Sequence, residues 1–174
     1  MVTARLVVRW LREGLLPLLV ARVAVGGVYV AYGVDKVREP AAFLKAIHGY
    51  DLLPASPPQL LNLTTIVLPW FEILCGCLLL LGAWRRTAAT LLCGLTAFFT
   101  VVVTLRASAL ANAGDLSLCA VRFDCGCGGG EVWFCTKFAE NCGLVLLAAL
   151  AALSRNDRCS LGPARAVATA GKAP

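Results

Sequence analysis

Residues 63–81 read LTTIVLPWFEILCGCLLLL, and this stretch decides the fold. Its apolar side chains follow one another without the alternation of a strand or the polar stripe of a soluble helix, over the length a helix needs to cross a bilayer. Three more runs of this kind, at about 15–34, 87–105 and 132–153, lie around it. Of the whole chain 59% is apolar and 15% charged, with a mean hydropathy of +0.78, whereas an average soluble domain is roughly one-quarter charged. These figures exclude a water-soluble fold. The expectation is an all-α integral membrane protein, a bundle of four transmembrane helices inserted in the lipid bilayer.

The first run follows a head, residues 1–14, that carries Arg5, Arg9 and Arg12, as a signal peptide would. No small-x-small cleavage site follows a short apolar core, and three further runs come after, so this run reads as the first span. The loop 35–62 holds AAFLKAIHGY at 41–50, where Phe43, Ala46, Ile47 and Tyr50 have the spacing of a short helix lying on the membrane surface. A Pro-rich stretch follows it. The turn GAWRR at 82–86 is too short for anything but an antiparallel return. The loop 106–131 ends in DCGCGGGE, and the tail 154–174 has no periodicity and reads as disordered.

The net charge of +6 lies in scattered Lys and Arg at the ends of the apolar runs, without the interleaved aromatics of a nucleic-acid groove. It reads as topology, and nucleic acid is excluded as a partner. Arg85, Arg86, Arg155, Arg158, Arg165 and Lys172 would share a side with the basic head, whereas the two longer loops balance their charges. The positive-inside rule then puts both termini in the cytoplasm and both loops outside. The loop cysteines would face an oxidising compartment.

Of nine cysteines, Cys119, Cys125, Cys127 and Cys135 lie in or beside the second outer loop. A disulfide between Cys125 and Cys127 would close a very small strained ring, and strain raises the reduction potential. The glycines of DCGCGGG remove side-chain obstacles to that geometry. Cys135, at the start of the fourth span, would feel the positive end of the helix dipole and stands as a third member. The competing reading is a plain staple, for instance Cys127 to Cys135 or Cys119 to Cys125, and spacing alone does not separate the two. No metal is expected, because C-x5-C-x-C-x7-C lacks the paired C-x2-C knuckles of zinc ribbons. Cys142 shares a helical face with Cys135 but sits beyond disulfide reach, about 10 Å along the axis. Cys75 and Cys77 read as apolar packing, and Cys93 comes to similar depth as Cys75.

Glu72, in the middle of the second span, is costly in lipid unless paired or protonated. Arg22, Lys137 or the hydroxyls and amides of other spans could satisfy it, and it stands either as an inter-helix tie or as a proton site. Lys137 and Glu140 put polar groups in the first half of the fourth span, where they must face the bundle or water. Lys36 reads as a snorkelling anchor at the end of the first span, and the lone His48 as solvated.

The succession GVYVAYGVDK, AAFLKAIHGYDLLP, LPWFEILCGCLLLLG and DCGCGGGEVWFCTKFAEN resembles the MauE/DoxX family of redox-associated membrane proteins, over about residues 21–153. The resemblance implies a bacterial inner-membrane protein that supports maturation of exported disulfide-containing proteins such as methylamine dehydrogenase, beside a thioredoxin-like partner. Its DoxX side implies a quinone-linked oxidoreductase, in which the chain could also be a non-catalytic scaffold. Carried over, Cys125 and Cys127 are the redox pair, with Cys135 beside them, Glu72 is the intramembrane acid and Lys36 closes the first helix. Cys119 and Cys142 are accessory. This chain has CGCGGG where the MauE-like pattern more often has CGCFG.

Overall fold

Glu39 stands before Pro40, and a residue before proline is pushed out of the helical region. The first helix, α1 (Leu15–Arg38), therefore stops there, and Pro40 starts α2 (Pro40–Gly49) as its first residue. The computed structural model describes residues 14–50, 58–126 and 130–154. The expectations for the basic head, the Pro-rich stretch, Cys127 and the tail lie outside the described residues. The chain continues through α3 (Pro58–Leu81) and α4 (Arg85–Gly114), a three-residue 3-10 turn at Leu118–Ala120, and an antiparallel hairpin of β1 (Arg122–Asp124) and β2 (Glu131–Trp133). The last element among the described residues is α5 (Phe134–Leu153). Four helices, α1, α3, α4 and α5, are long and apolar enough to cross a membrane.

Three of these, α1, α3 and α4, run past the bounds that hydropathy suggests. Hydropathy marks the part that lipid covers, whereas a helix continues through the interface until its backbone is stopped. For α1 the stop is Pro40, and for α4 it is Asp115 in the left-handed region at φ 49°. The 30 residues of α4 span about 45 Å against a hydrocarbon core of about 30 Å. Thr96, Thr100 and Thr104 bond back to the carbonyls of Leu92, Thr96 and Thr100, so these hydroxyls are satisfied within the helix.

Small residues set the closest helix contact. A Cβ on Gly33 would lie 2.8 Å from the Pro69 carbonyl oxygen, and one on Gly26 would lie 2.9 Å from that of Gly76. Thus α1 and α3 meet backbone to backbone, as small residues allow in lipid. Gly33→Val should lower stability by about 1–3 kcal/mol, the usual cost of forcing extra volume into a packed seam. Thermal unfolding in detergent tests this, and an unchanged midpoint would show that the seam opens freely.

At the end where α1 begins, arginines cap neighbouring helices. Arg22 donates to the carbonyls of Leu79 and Leu80, 3.0 Å each, and Arg85 to those of Ala151 and Ser154 at 3.0 and 3.2 Å. These carbonyls end α3 and α5, where intrahelical donors run out and the helix dipole favours a cation. Arg22 is thereby committed away from Glu72, which corrects the Arg22 pairing considered for that acid.

The opposite end carries α2 and the hairpin. Phe43 and Ala46 of α2 are buried, and the Tyr50 ring packs edge-on against Phe123 with centroids 6.5 Å apart. A disulfide joins Cys119 to Cys135, across the base of the hairpin. This is neither of the two staples considered from the sequence. Cys135 is therefore held at the base, while Cys125 follows β1 at the tip, with three paired rows between them.

Candidate functional site around an intramembrane cavity

In a helix the Cα–Cβ bond leans toward the N-terminus. Because α1 and α3 run in opposite directions, this tilts Lys36 back from the C-terminal end of α1 and tilts Glu72 toward it. Lys36 Nζ lies 2.6 and 2.7 Å from the two Glu72 oxygens, and both side chains are buried. Lys36 is thus the partner of the intramembrane acid, and the snorkelling reading gives way. The same ammonium lies 5.0 Å from the centre of the Phe43 ring.

A second polar group joins α1 to α5. Lys137, also buried, donates to Tyr32 Oη at 3.3 Å and to Glu140 Oε2 at 3.2 Å, and Tyr32 Oη donates to Glu140 Oε1. Lys137 stands 4.7 Å from the centre of the Tyr32 ring. Glu140 is 38% exposed, so this cluster reaches from the interior to the surface of the bundle. Glu72 feels both lysines electrostatically. Two lysines and two glutamates therefore balance one another in a region where a lone charge would be prohibitive.

These groups line one side of a cavity of about 520 Å³. Its floor includes Tyr29 and Leu144, and Tyr29 shares a hydrogen bond with Thr96. Its roof is α2 together with the turn at Cys125 and Gly126. Gly126 has φ +67°, and a Cβ there would come 3.1 Å from that of Ala46. Its N–H bonds to Asp124 Oδ1 at 2.9 Å, closing the turn. Both the backbone angle and the close approach require glycine between the two cysteines.

Cys125 is half-buried and forms part of the cavity wall. Beyond the roof lies a polar recess of about 440 Å³ bordered by Asp35, Arg38, Glu39 and Asp124, and it shares Lys36, Phe43 and Gly126 with the cavity. The structure thus brings Cys125, Lys36, Glu72 and Lys137 to one cavity, with Glu140 behind it, and leaves Cys119 and Cys135 bonded at the hairpin base. Cys142 is half-buried on α5, and no disulfide joins it among the described residues. Tyr32 was not singled out from the sequence, although Tyr29, Tyr32 and Lys36 follow the i, i+3, i+7 spacing of one helix face.

Four apolar helices, with a cysteine turn above a cavity edged by buried ion pairs, define a multi-pass membrane protein. The chain belongs to the family of the methylamine utilisation protein MauE, whose model matches residues 15–154. No curated protein and no solved structure matches it.

Proposed function

We propose that the protein is a membrane thiol–disulfide redox protein whose Cys125 and Cys127 exchange with thiols of exported proteins, or of a thioredoxin-like partner, and pass electrons to a quinone in the cavity. It works in the bacterial inner membrane with both termini in the cytoplasm and the hairpin outside. Family membership favours a client in methylamine metabolism such as methylamine dehydrogenase. The observation that carries the reading is the place of Cys125, in the cavity wall at the turn that separates the cavity from the outer polar recess.

The cavity suits a quinone ring. Its volume falls within the roughly 300–1,000 Å³ of small-molecule sites, and it is mostly apolar with a few convergent polar groups. Phe43, Phe98 and Phe99 line it with aromatic rings, and Lys36, Lys137 and Asn141 bring donor groups to it. Partner thiols reduce the Cys125–Cys127 disulfide by exchange, with the partner's own disulfide as product. Closing the Cys125–Cys127 bond again releases two electrons and two protons, and a quinone, when bound, takes up both to become a quinol. Lys36 and Lys137 stand beside that transfer, and the Gly126 turn holds Cys125 at the roof.

The Cys119–Cys135 bond favours a second reading, a docking scaffold whose loop is merely stapled. Redox titration of the membrane-purified protein against glutathione buffers, with alkylation mapping, separates the two. An exchanging bond at Cys125 should titrate above roughly −200 mV, and resistance below roughly −300 mV at that cysteine would leave only the scaffold.

A further inference from the structure

The cavity is closed on three sides and above. Tyr32, Lys137 and Glu140 tie α1 to α5, α1 packs tightly on α3, α4 packs along α5, and α2 with the Cys125 turn forms the roof. The remaining side is lined by Thr64 and Leu68 of α3 and by Phe98 and Val102 of α4.

Helix geometry shows where that side faces. In α3, Pro69 and Gly76 meet α1. Leu68 is one residue, about 100°, round from Pro69, and Thr64 is one turn beyond on the same strip, so both lie on the flank turned from α1. In α4, Cys93 marks the flank toward α5, since its Sγ lies 3.7 Å from the Val145 carbonyl oxygen. Phe98 is five residues on, about 140° round, on the flank turned from α5. Both flanks line the same cavity. Phe98 lines the cavity and is nevertheless 59% exposed, so the cavity opens there to the outside of the bundle. At this depth the outside is hydrocarbon, for Ile66, Val67 and Val101 around it are exposed and apolar.

We infer that the gap between α3 and α4 is a lateral portal through which the cavity takes its ligand from the bilayer, the ring passing inward and a hydrocarbon tail lying between Leu68 and Phe98. The inference rests on the quinone reading of the cavity. It adds that the ligand is lipid-dissolved and tailed, and that Thr64, Leu68 and Phe98 govern its access. A hydrophilic oxidant would instead have to pass the roof.

The test is photolabelling of the full chain in detergent with a benzoquinone that carries an azide at the end of a ten-carbon tail. Labelled peptides from 60–68 of α3 or 98–102 of α4 are the expected result. Label on α2, or on the faces of α1 and α5, overturns the portal and leaves the cavity reading standing. Absence of protectable label anywhere overturns both. Thr64→Trp supplies the second measurement. It should raise the apparent Kd for the tailed quinone, relative to a tail-less benzoquinone, by about tenfold, the equivalent of fewer than two buried methylenes. An unchanged ratio overturns the portal.

Discussion

Lys36→Met should destabilise the protein by about 3–5 kcal/mol, because it leaves the Glu72 carboxylate buried without the ammonium that holds both of its oxygens. Lys137 does not take over, since it is engaged by Tyr32 and Glu140. Glu72→Leu should do comparable damage from the other side by stranding Lys36. The double variant Lys36→Met, Glu72→Met should recover most of the loss, since replacing both members of a buried pair by apolar groups is often neutral. Thermal unfolding midpoints in detergent, followed by size-exclusion profile, give the comparison. A double variant no more stable than either single would mean that the pair is not what these residues contribute. The folded double variant also separates packing from chemistry. It keeps the bundle but removes two charges from the cavity edge, and should lose affinity for a benzoquinone probe while its helix content is unchanged.

The four spans were legible because lipid demands long apolar runs, and nothing else in this chain competes with that signal. Helix ends were less so. The stops of α1 and α4 are backbone events at Pro40 and Asp115, and neither changes hydropathy abruptly. The surface helix was readable from Phe43, Ala46, Ile47 and Tyr50, which the structure turns toward the cavity. Pairing was the hidden part. Lys36 lies near a helix end, where a lysine ordinarily snorkels, and its commitment to Glu72 depends on the close approach of α1 and α3 at Gly26, Gly33 and Gly76. Cysteine connectivity was hidden for a related reason. Spacing bounds which bonds can form but does not select among them, and the Cys119–Cys135 bond follows from a hairpin register that no local pattern announces. The glycine between Cys125 and Cys127 was readable as a permissive residue, yet its contact with Ala46 comes from the docking of α2.

The proposed function gives the Cys119–Cys135 bond and the Cys125, Cys127 motif different duties. Cys119 and Cys135 are 16 residues apart, and closing a loop of this size lowers the entropy of the unfolded chain by an amount worth about 3 kcal/mol. The paired variant Cys119→Ser, Cys135→Ser should therefore unfold at lower temperature, and in the cold it should still oxidise a dithiol peptide with a tailed benzoquinone as acceptor. Cys125→Ser should behave in the opposite way. It removes one half-buried sulfur at the hairpin tip and leaves the base bond intact, so its unfolding midpoint should stay close to that of the parent while thiol oxidation is abolished. Given the peptide as its mixed disulfide with thionitrobenzoate, Cys127→Ser should accumulate a Cys125–peptide disulfide as the thionitrobenzoate leaves as a thiolate, visible as a mass increase that reductant removes, because the sulfur that would displace the peptide is missing. The decisive result is the first variant. If loss of the Cys119–Cys135 bond stopped oxidation in protein that remained folded, electrons would have to pass through the hairpin base, and the base bond would belong to the relay rather than to the frame that holds it.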